Sequence, residues 1–561
     1  MKNKDIKSLA LPLILCVAVI NHLVTFWAYT WYAGVDSYGY DICGLQLVTG
    51  RIFDLYPILF RPPLISIIKN ILYLIFEGHP YALAGLIHLL GIAMVVLVYR
   101  IGCRFHKGVG FAVGILTASN LSIAVNFHHI SVFTIFVPLL LLTVDCFITW
   151  AQNPDRRSLA LLILMTSLCT LARTEALILI PIFAFFGILS HRNFKSALFF
   201  LLSCAVIYNL ACFVYYKNFG YWGITHHTGW ALSARMMRAQ DQQFLKDNGP
   251  ASQKVYEYMS AEWPSRVRSV DPLRAHMFTL NLAQEELGYL EADDLFLRAS
   301  LESIRSDPGK FFRNTFLRML GQLGLYYNPE LRYKEFRYET ESGHMWGFYE
   351  ERMLRNQGYY IHWTRFLPDI KSPLIWERQV IKARLLNLFG FKCAIPDFPK
   401  EFASIQSVKA EPSGKLKWLY CGDAHMTERF RYCLDLDAYF FLGYWGPRDW
   451  SKTALTILKY WDKLLMSKAL SSASAHRLMW VFWILAFFLL SPGWRLAVLA
   501  ALLSIVVAYA LLQAVFTDNF GGRHELYMRI FLWLGASCGI LGILQRLKPK
   551  KKNNNITDGK E

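Results

Sequence analysis

The sequence predicts an all-α polytopic membrane protein with about ten transmembrane helices and a large, mostly helical extracytoplasmic insertion. Of its 561 residues, 54% are hydrophobic and 15% are aromatic. Several apolar stretches approach the 20 or so residues needed to cross about 30 Å of hydrocarbon. The short connections between them alternate between basic and non-basic, as the positive-inside rule requires.

The predicted spans are residues 9–30, 81–101, 109–127, 130–151, 158–173, 175–190, 196–216, 477–491, 495–516 and 528–546. The first is too long for the apolar region of a signal peptide and lacks a small-residue cleavage site, so we expect it to stay as an anchor. Basic residues follow every second span and place those connections, with both termini, in the cytoplasm. They are Arg100, Arg104, Lys107, Arg156, Arg157, Arg192, Lys195 and Arg495. A single span over 158–190 would put Arg156 and Arg192 on opposite sides, so two spans are favoured.

The spans divide the chain into four parts. We predict an N-terminal transmembrane module (1–216) with its first external loop at 31–80, and an extracytoplasmic and interfacial domain (217–475). C-terminal transmembrane helices (476–546) and a basic, disordered cytoplasmic tail (547–561) follow. The net charge of +18 does not indicate nucleic acid, because the basic residues lie in short loops beside spans and in the tail, where anionic lipid explains them.

One helix of the insertion is clear from sequence. Asp307 can cap a helix that starts at Pro308, and Phe312 and Phe316 begin an apolar series at helical spacing. Lys310, Arg313 and Arg318 add positive charge. Periodicity alone leaves two positions open for it: the membrane interface, or the core of the external domain.

The cysteines predict no metal site. Seven lie in or beside spans and are expected to be packing residues: Cys16, Cys103, Cys146, Cys169, Cys204, Cys212 and Cys538. Cys43, Cys393, Cys421 and Cys433 face an exterior that can oxidise them, and Cys421 with Cys433 is the favoured pair. The His226–His227 doublet is too short to hold zinc alone.

Polar residues outside the basic loops gather on the predicted external side. The connections there are 31–80, 126–129, 173–175 and 517–525. Asp36 follows the first span, where an ionised carboxylate is costly unless it is used. It is therefore the candidate catalytic residue, and an Asx-type turn at 36–39 is the structural alternative.

The order of these motifs resembles the GT-C superfold of membrane glycosyltransferases. The matching residues are Asp36, Tyr40, Leu47, Gly50, Tyr56, Pro57, Arg61, Pro62, Pro63 and Leu64, followed by the run LARTEAL at 171–177 and RHELY at 523–527. The resemblance covers about the first 210 residues well and the C-terminal spans weakly. It implies a reaction like that of protein O-mannosyltransferases and aminoarabinose transferases, which move a sugar from a polyprenyl-phosphate carrier.

A single carboxylate suffices for that chemistry, because phosphate leaves without a general acid. Asp36 is then the base, and the residues expected to bind the carrier phosphate and substrate are Arg61, His128, His129, Arg173, Glu175, Arg523, Tyr527 and Asp41. Relatives often carry an acid in the turn after the third span, where this chain has none, so Asp41 or Glu175 must supply any second acid. We predict no metal and no cofactor beyond the lipid-linked donor. Glu175 is equally explained as the ion-pair partner of Arg173.

Two other function classes stay open. A transporter or flippase of a lipid-linked sugar would need charges near the midplane, for which Asp145 is the main candidate. A scaffold is favoured only by the external domain. The expected partners are membrane lipid, the donor and an extracytoplasmic lipid, glycan or protein acceptor. The lack of Asn-x-Ser/Thr in 217–475 favours a bacterial inner membrane with the active site facing the periplasm.

Overall fold

The computed structural model describes most of the transmembrane part of the chain and a portion of the insertion. The described residues are 3–28, 59, 61–76, 80–127, 132–191, 193–238, 246–261, 279–280, 283–284, 286–323, 325, 473–489, 493–516 and 526–547. Within them the secondary structure is helical, with no strand.

Sixteen α-helices are labelled here in chain order. They are α1 (Asn3–Ala28), α2 (Pro63–Phe76), α3 (Pro80–Phe105), α4 (Lys107–Ala118), α5 (Leu121–Asn126), α6 (Val132–Gln152), α7 (Arg156–Ala172), α8 (Leu179–His191), α9 (Phe194–Phe219), α10 (Thr228–Arg238), α11 (Pro250–Ala261), α12 (Tyr289–Ser306), α13 (Pro308–Gln322), α14 (Ala473–Leu489), α15 (Trp494–Phe516) and α16 (Leu526–Leu547). Short 3₁₀ helices occupy Thr174–Ile178 and Lys246–Asn248.

Six of these helices, α1, α3, α6, α9, α15 and α16, contain stretches long and apolar enough to cross a membrane. The helices of the remaining predicted spans, α4, α7, α8 and α14, are shorter, and the number of ten spans stays a prediction. The six long helices support an integral membrane protein. Five of them share one large apolar core with α4, α7, α8 and α14, which includes Phe136, Phe147, Trp483, Tyr509 and Trp533. The buried apolar side chains of α1, Ile14 and Ala18, pack on α3 and α4 in a separate cluster.

Two predictions of helix extent were wrong. The third span, 109–127, is two helices: α4 ends at Ala118 with Ser119 as its C-cap, and the Asn120 side-chain oxygen accepts a hydrogen bond from the Ile123 amide at the start of α5. The first external loop is not all loop: α2 covers 14 of its residues. That apolar run was overlooked because it is shorter than a span.

The chain reverses between α7 and α8. The ring of Phe147 in α6 stacks on Phe183 in α8, with centroids 4.4 Å apart. Gly187 lies so close to Trp150 that a Cβ there would be 2.2 Å from the indole. Since α7 starts just after α6 ends, the last turns of α8 return to the end where α7 begins. The geometry therefore favours two antiparallel helices over one continuous helix.

The two ends of the helix bundle differ in chemistry. At the end predicted to be cytoplasmic, the buried Asp145 carboxylate pairs with Arg100 at 2.9 Å and Arg104 at 3.5 Å. Arg104 also donates to Thr149 and Gln152. The in-span acid is thus neutralised near the end of its helix.

The described part of the insertion forms its own small core beside the external end of α15. The buried side chains of α10, α11 and α12 meet there, among them Val255 and Phe296. Helix α13 begins as predicted, with the Asp307 carboxylate accepting a hydrogen bond from the Lys310 amide at 3.0 Å and Pro308 at the first position.

The seven cysteines predicted to be packing residues are free thiols. Cys43, Cys393, Cys421 and Cys433 lie outside the described residues, and their pairing stays a prediction. The tail 548–561 also lies outside.

Candidate active site

Arg173 occupies the break between α7 and the 3₁₀ helix that precedes α8. Its backbone is extended, with φ −151° and ψ 126°. Nε donates to one oxygen of Glu175 at 3.2 Å and Nη2 donates to the other. The guanidinium also lies over the rings of Phe133 and Phe136 in α6, 5.0 and 5.4 Å from their centroids. Both contacts fix the plane of the cation at the end of the bundle that is predicted to be external.

A second segment reaches this place from the end of α9. Gly220 ends that helix in the left-handed conformation, with φ 72°, which glycine adopts without strain. The chain then turns back, and the His226 amide donates to the Leu59 carbonyl at 2.5 Å. This bond joins the segment 221–227 to the end of the first external loop, two residues before Arg61.

His227 is the residue around which the site is arranged. Burial lowers the pKa of its imidazole to about 4, Glu175 opposes that shift, and Arg61, Arg173 and His226 reinforce it. The imidazole is neutral at pH 7. Arg61, Arg173, Glu175 and His227 are therefore near neighbours, and we call them the arginine–histidine cluster.

The cluster carries two guanidinium groups, one carboxylate and one neutral imidazole. It has an excess of positive charge and several N–H donors, which suits an anion such as a phosphate group. Over the described ranges, no group of three or more His, Cys, Asp or Glu side chains is arranged to hold a metal ion.

The described part of the insertion contacts the segment beside this cluster through His226. Its Nδ1 lies 3.3 Å from Asp293 and its Nε2 3.3 Å from Asp294, both in α12. The Tyr289 hydroxyl donates to the His226 carbonyl. His226 therefore links the loop that carries His227 to the first turns of α12.

Asp293 also caps α10. Its carboxylate accepts hydrogen bonds from the Gly229 amide at 3.1 Å and the Trp230 amide at 2.6 Å. Burial raises the pKa of this carboxyl, although the Trp230 amide, His226 and the Gly229 amide oppose the rise. One carboxylate thus holds the start of α10 and the imidazole of His226 together.

The structure brings together three of the residues predicted to form the site: Arg61, Arg173 and Glu175. Glu175 is the ion-pair partner of Arg173, one of its two predicted roles. Tyr527 lies in the first turn of α16. Asp36, Asp41, His128, His129 and Arg523 lie outside the described residues, so their roles stay predictions.

His227 was missed as a site residue because the His226–His227 doublet was considered only as a metal site. The signal that could have found it is its position. It follows a predicted span on the same face as Arg61 and Arg173, which places all three at one end of the bundle.

No protein family and no curated protein sequence matches the chain. Among solved structures, it is similar to the archaeal oligosaccharyltransferase AglB from Archaeoglobus fulgidus, determined with an inhibitory peptide and a dolichol-phosphate. The sequence identity is 12% and the TM-score is 0.37, over 98% of this chain and 52% of that one. This chain spans about half the length of that structure. A TM-score of 0.37 does not establish a shared fold, so the GT-C resemblance stays a prediction.

Proposed function

We propose that this protein is an integral membrane glycosyltransferase that moves a sugar from a polyprenyl-phosphate carrier to an extracytoplasmic acceptor. The observation that supports the proposal is the arginine–histidine cluster. Arg61, Arg173 and His227 come from three separate connections and meet at one end of a helix bundle. The proposal puts the lipid phosphate at this end of the bundle, because guanidinium groups are the side chains best suited to hold it.

In the proposed reaction, Asp36 removes the proton from the acceptor hydroxyl. The acceptor oxygen attacks the anomeric carbon of the sugar, and the bond from that carbon to the phosphate oxygen breaks. The phosphate leaves with the bonding electrons. The displacement inverts the configuration of the anomeric carbon. Because phosphate is a stable anion, the step needs no proton donor at the leaving group.

The cluster is assigned to the leaving phosphate. Arg61 and Arg173 contact its oxygens and stabilise the charge that develops as the bond breaks. Glu175 keeps the Arg173 guanidinium in one plane. His227, being neutral, accepts one hydrogen bond and donates another. Arg523, His128, His129 and Tyr527 are proposed to complete the binding of donor and acceptor, and Asp41 to supply any second acid.

The transporter alternative gains nothing from Asp145. That carboxylate was the candidate for a midplane charge, yet it is paired with Arg100 and Arg104 near the opposite end of the bundle. Asp145 lies in the second half of α6 and belongs to a fixed ion cluster there, whereas transporters place charges at the centre of broken helices. A bacterial inner membrane, with the cluster facing the periplasm, remains the proposed location.

The experiment measures binding of a polyprenyl phosphate to the purified protein in nanodiscs. Arg61→Ala and Arg173→Ala are each expected to weaken binding ten- to hundredfold, the effect of losing a charge-assisted hydrogen bond of about 1.5–3 kcal/mol. Arg157→Ala is the matched control, because Arg157 is exposed at the opposite end of the bundle. Unchanged affinity in both cluster variants would show that the phosphate binds elsewhere.

A further inference from the structure

Helix α13 passes from the core of the external domain into the core of the transmembrane part. Phe311 in its first turn is buried with the external cluster that contains Val255 and Phe296. Met319 and Leu323, at its other end, pack on the main apolar core. The Leu323 carbonyl accepts a hydrogen bond from the Trp480 indole at 2.7 Å.

These contacts set the depth of α13 relative to the spans. Arg235 of α10 bonds both the Thr315 hydroxyl and the Val515 carbonyl, so Thr315 is level with the last turn of α15. Trp480 is seven residues beyond the start of α14, or about 10 Å along its axis. The second half of α13 therefore runs from the level of the last turn of α15 to a level about two turns inside α14.

The face of α13 turned away from the protein is apolar and basic. Phe312 and Phe316, one helical turn apart, are 65% and 55% exposed. Lys310 and Arg313 are exposed beside them, and the helix contains no Asp or Glu. Arg318, the third cation of the helix, is buried, at 1%. Two phenylalanines with two cations above them match the acyl chains and headgroups of a lipid leaflet.

We propose that this face binds anionic phospholipid of the external leaflet. Phe312 and Phe316 insert among the acyl chains, and Lys310 and Arg313 contact the phosphate headgroups. The two positions that periodicity left open for α13 are then both occupied, one by each face of the helix. The proposal does not depend on the transfer reaction.

The test uses the full-length protein in nanodiscs with a fluorophore on Phe316→Cys, with signal from the parent protein subtracted. Quenching by doxyl-labelled phosphatidylglycerol is expected to exceed quenching by doxyl-labelled phosphatidylcholine. Iodide in the water phase is expected to quench weakly. The same fluorophore on Leu301→Cys, an exposed apolar position of α12, is expected to be quenched strongly by iodide and weakly by both lipids.

The charge requirement is tested in the same assay. Lys310→Ala with Arg313→Ala is expected to lower the preference for phosphatidylglycerol about tenfold or more, since each surface cation contributes about a factor of five. Arg298→Ala with Arg305→Ala removes the same charge from exposed positions of α12 and is expected to leave the preference intact. Strong iodide quenching at position 316 would overturn the proposal. Equal quenching by the two lipids in the labelled Phe316→Cys protein with Lys310 and Arg313 intact would overturn its anionic specificity.

Discussion

Arg173 and Glu175 form a two-point ion pair across the break between two antiparallel helices. The Arg173 side chain is 12% exposed and that of Glu175 is 34% exposed. The pair lies where α7 ends and the 3₁₀ helix before α8 begins, so it is not part of a regular α-helix. The ion pair fixes a cation at the end of the bundle and makes Glu175 a positioning residue for it.

Glu175→Gln is accordingly expected to lower sugar transfer ten- to hundredfold, because Arg173 loses a charge-assisted contact of about 1.5–3 kcal/mol. Initial rates of the reconstituted enzyme measure the effect, and Glu291→Gln, an exposed residue of α12, is the matched control. A loss of about 10³- to 10⁴-fold, above that expected for a supporting contact and within the range for a general base, would indicate that Glu175 is itself the base.

His227 predicts a pH dependence of stability. Its pKa is about 4 in the folded protein, below its usual value of 6.5, so the unfolded chain binds more protons between these values. The folded state should therefore lose stability as pH falls from 6.5 to 4. Above pH 6.5, protonation of His227 in the unfolded chain should no longer lower the stability. His227→Gln cannot titrate, so its melting temperature in detergent should fall less than that of the parent over this window. Parallel curves for the two proteins would contradict the assignment.

Hydropathy and loop charge predicted most of the helices to within a few residues, because burying an apolar span leaves few alternatives. These sequence features failed to predict the structure where local polar contacts determine where a helix ends. The break at Asn120 depends on a side-chain cap inside an apolar run, and α2 is too short to register as a span. The grouping of His227 with Arg61 depends on the hydrogen bond from His226 to Leu59, a tertiary contact that no local pattern encodes.

Asp145 provides a test between enzyme and transporter. Asp145→Asn removes the charge that holds Arg100 and Arg104, and the melting temperature is expected to drop by several degrees, because both arginines lose the buried carboxylate that pairs with them. Sugar transfer by the folded variant should be retained. Asp155→Asn is the control at the same end of the bundle, since Asn caps a helix as well as Asp does. Movement of a lipid-linked sugar across the membrane by the parent, lost in Asp145→Asn, with no sugar transfer by either protein, would favour transport.

The sidedness of the bundle can be checked by labelling in intact cells with a membrane-impermeant maleimide. Glu291→Cys, in the external domain, should react at once, whereas Asn153→Cys, between α6 and α7, should react only after permeabilisation. Both positions are exposed, so access to solvent does not distinguish them. Labelling of Asn153→Cys in intact cells would contradict the predicted topology.

The most direct test of the central claim is the activity of Asp36→Asn in reconstituted vesicles with a polyprenyl-phosphate sugar and acceptors from native membranes. Release of polyprenyl phosphate and binding of the donor are measured on the same preparation, with Asp54→Asn as a matched control. The account predicts that release falls about 10²- to 10⁴-fold while donor affinity is unchanged, because the substitution removes the base and keeps the shape. Release at close to the parent rate would contradict it.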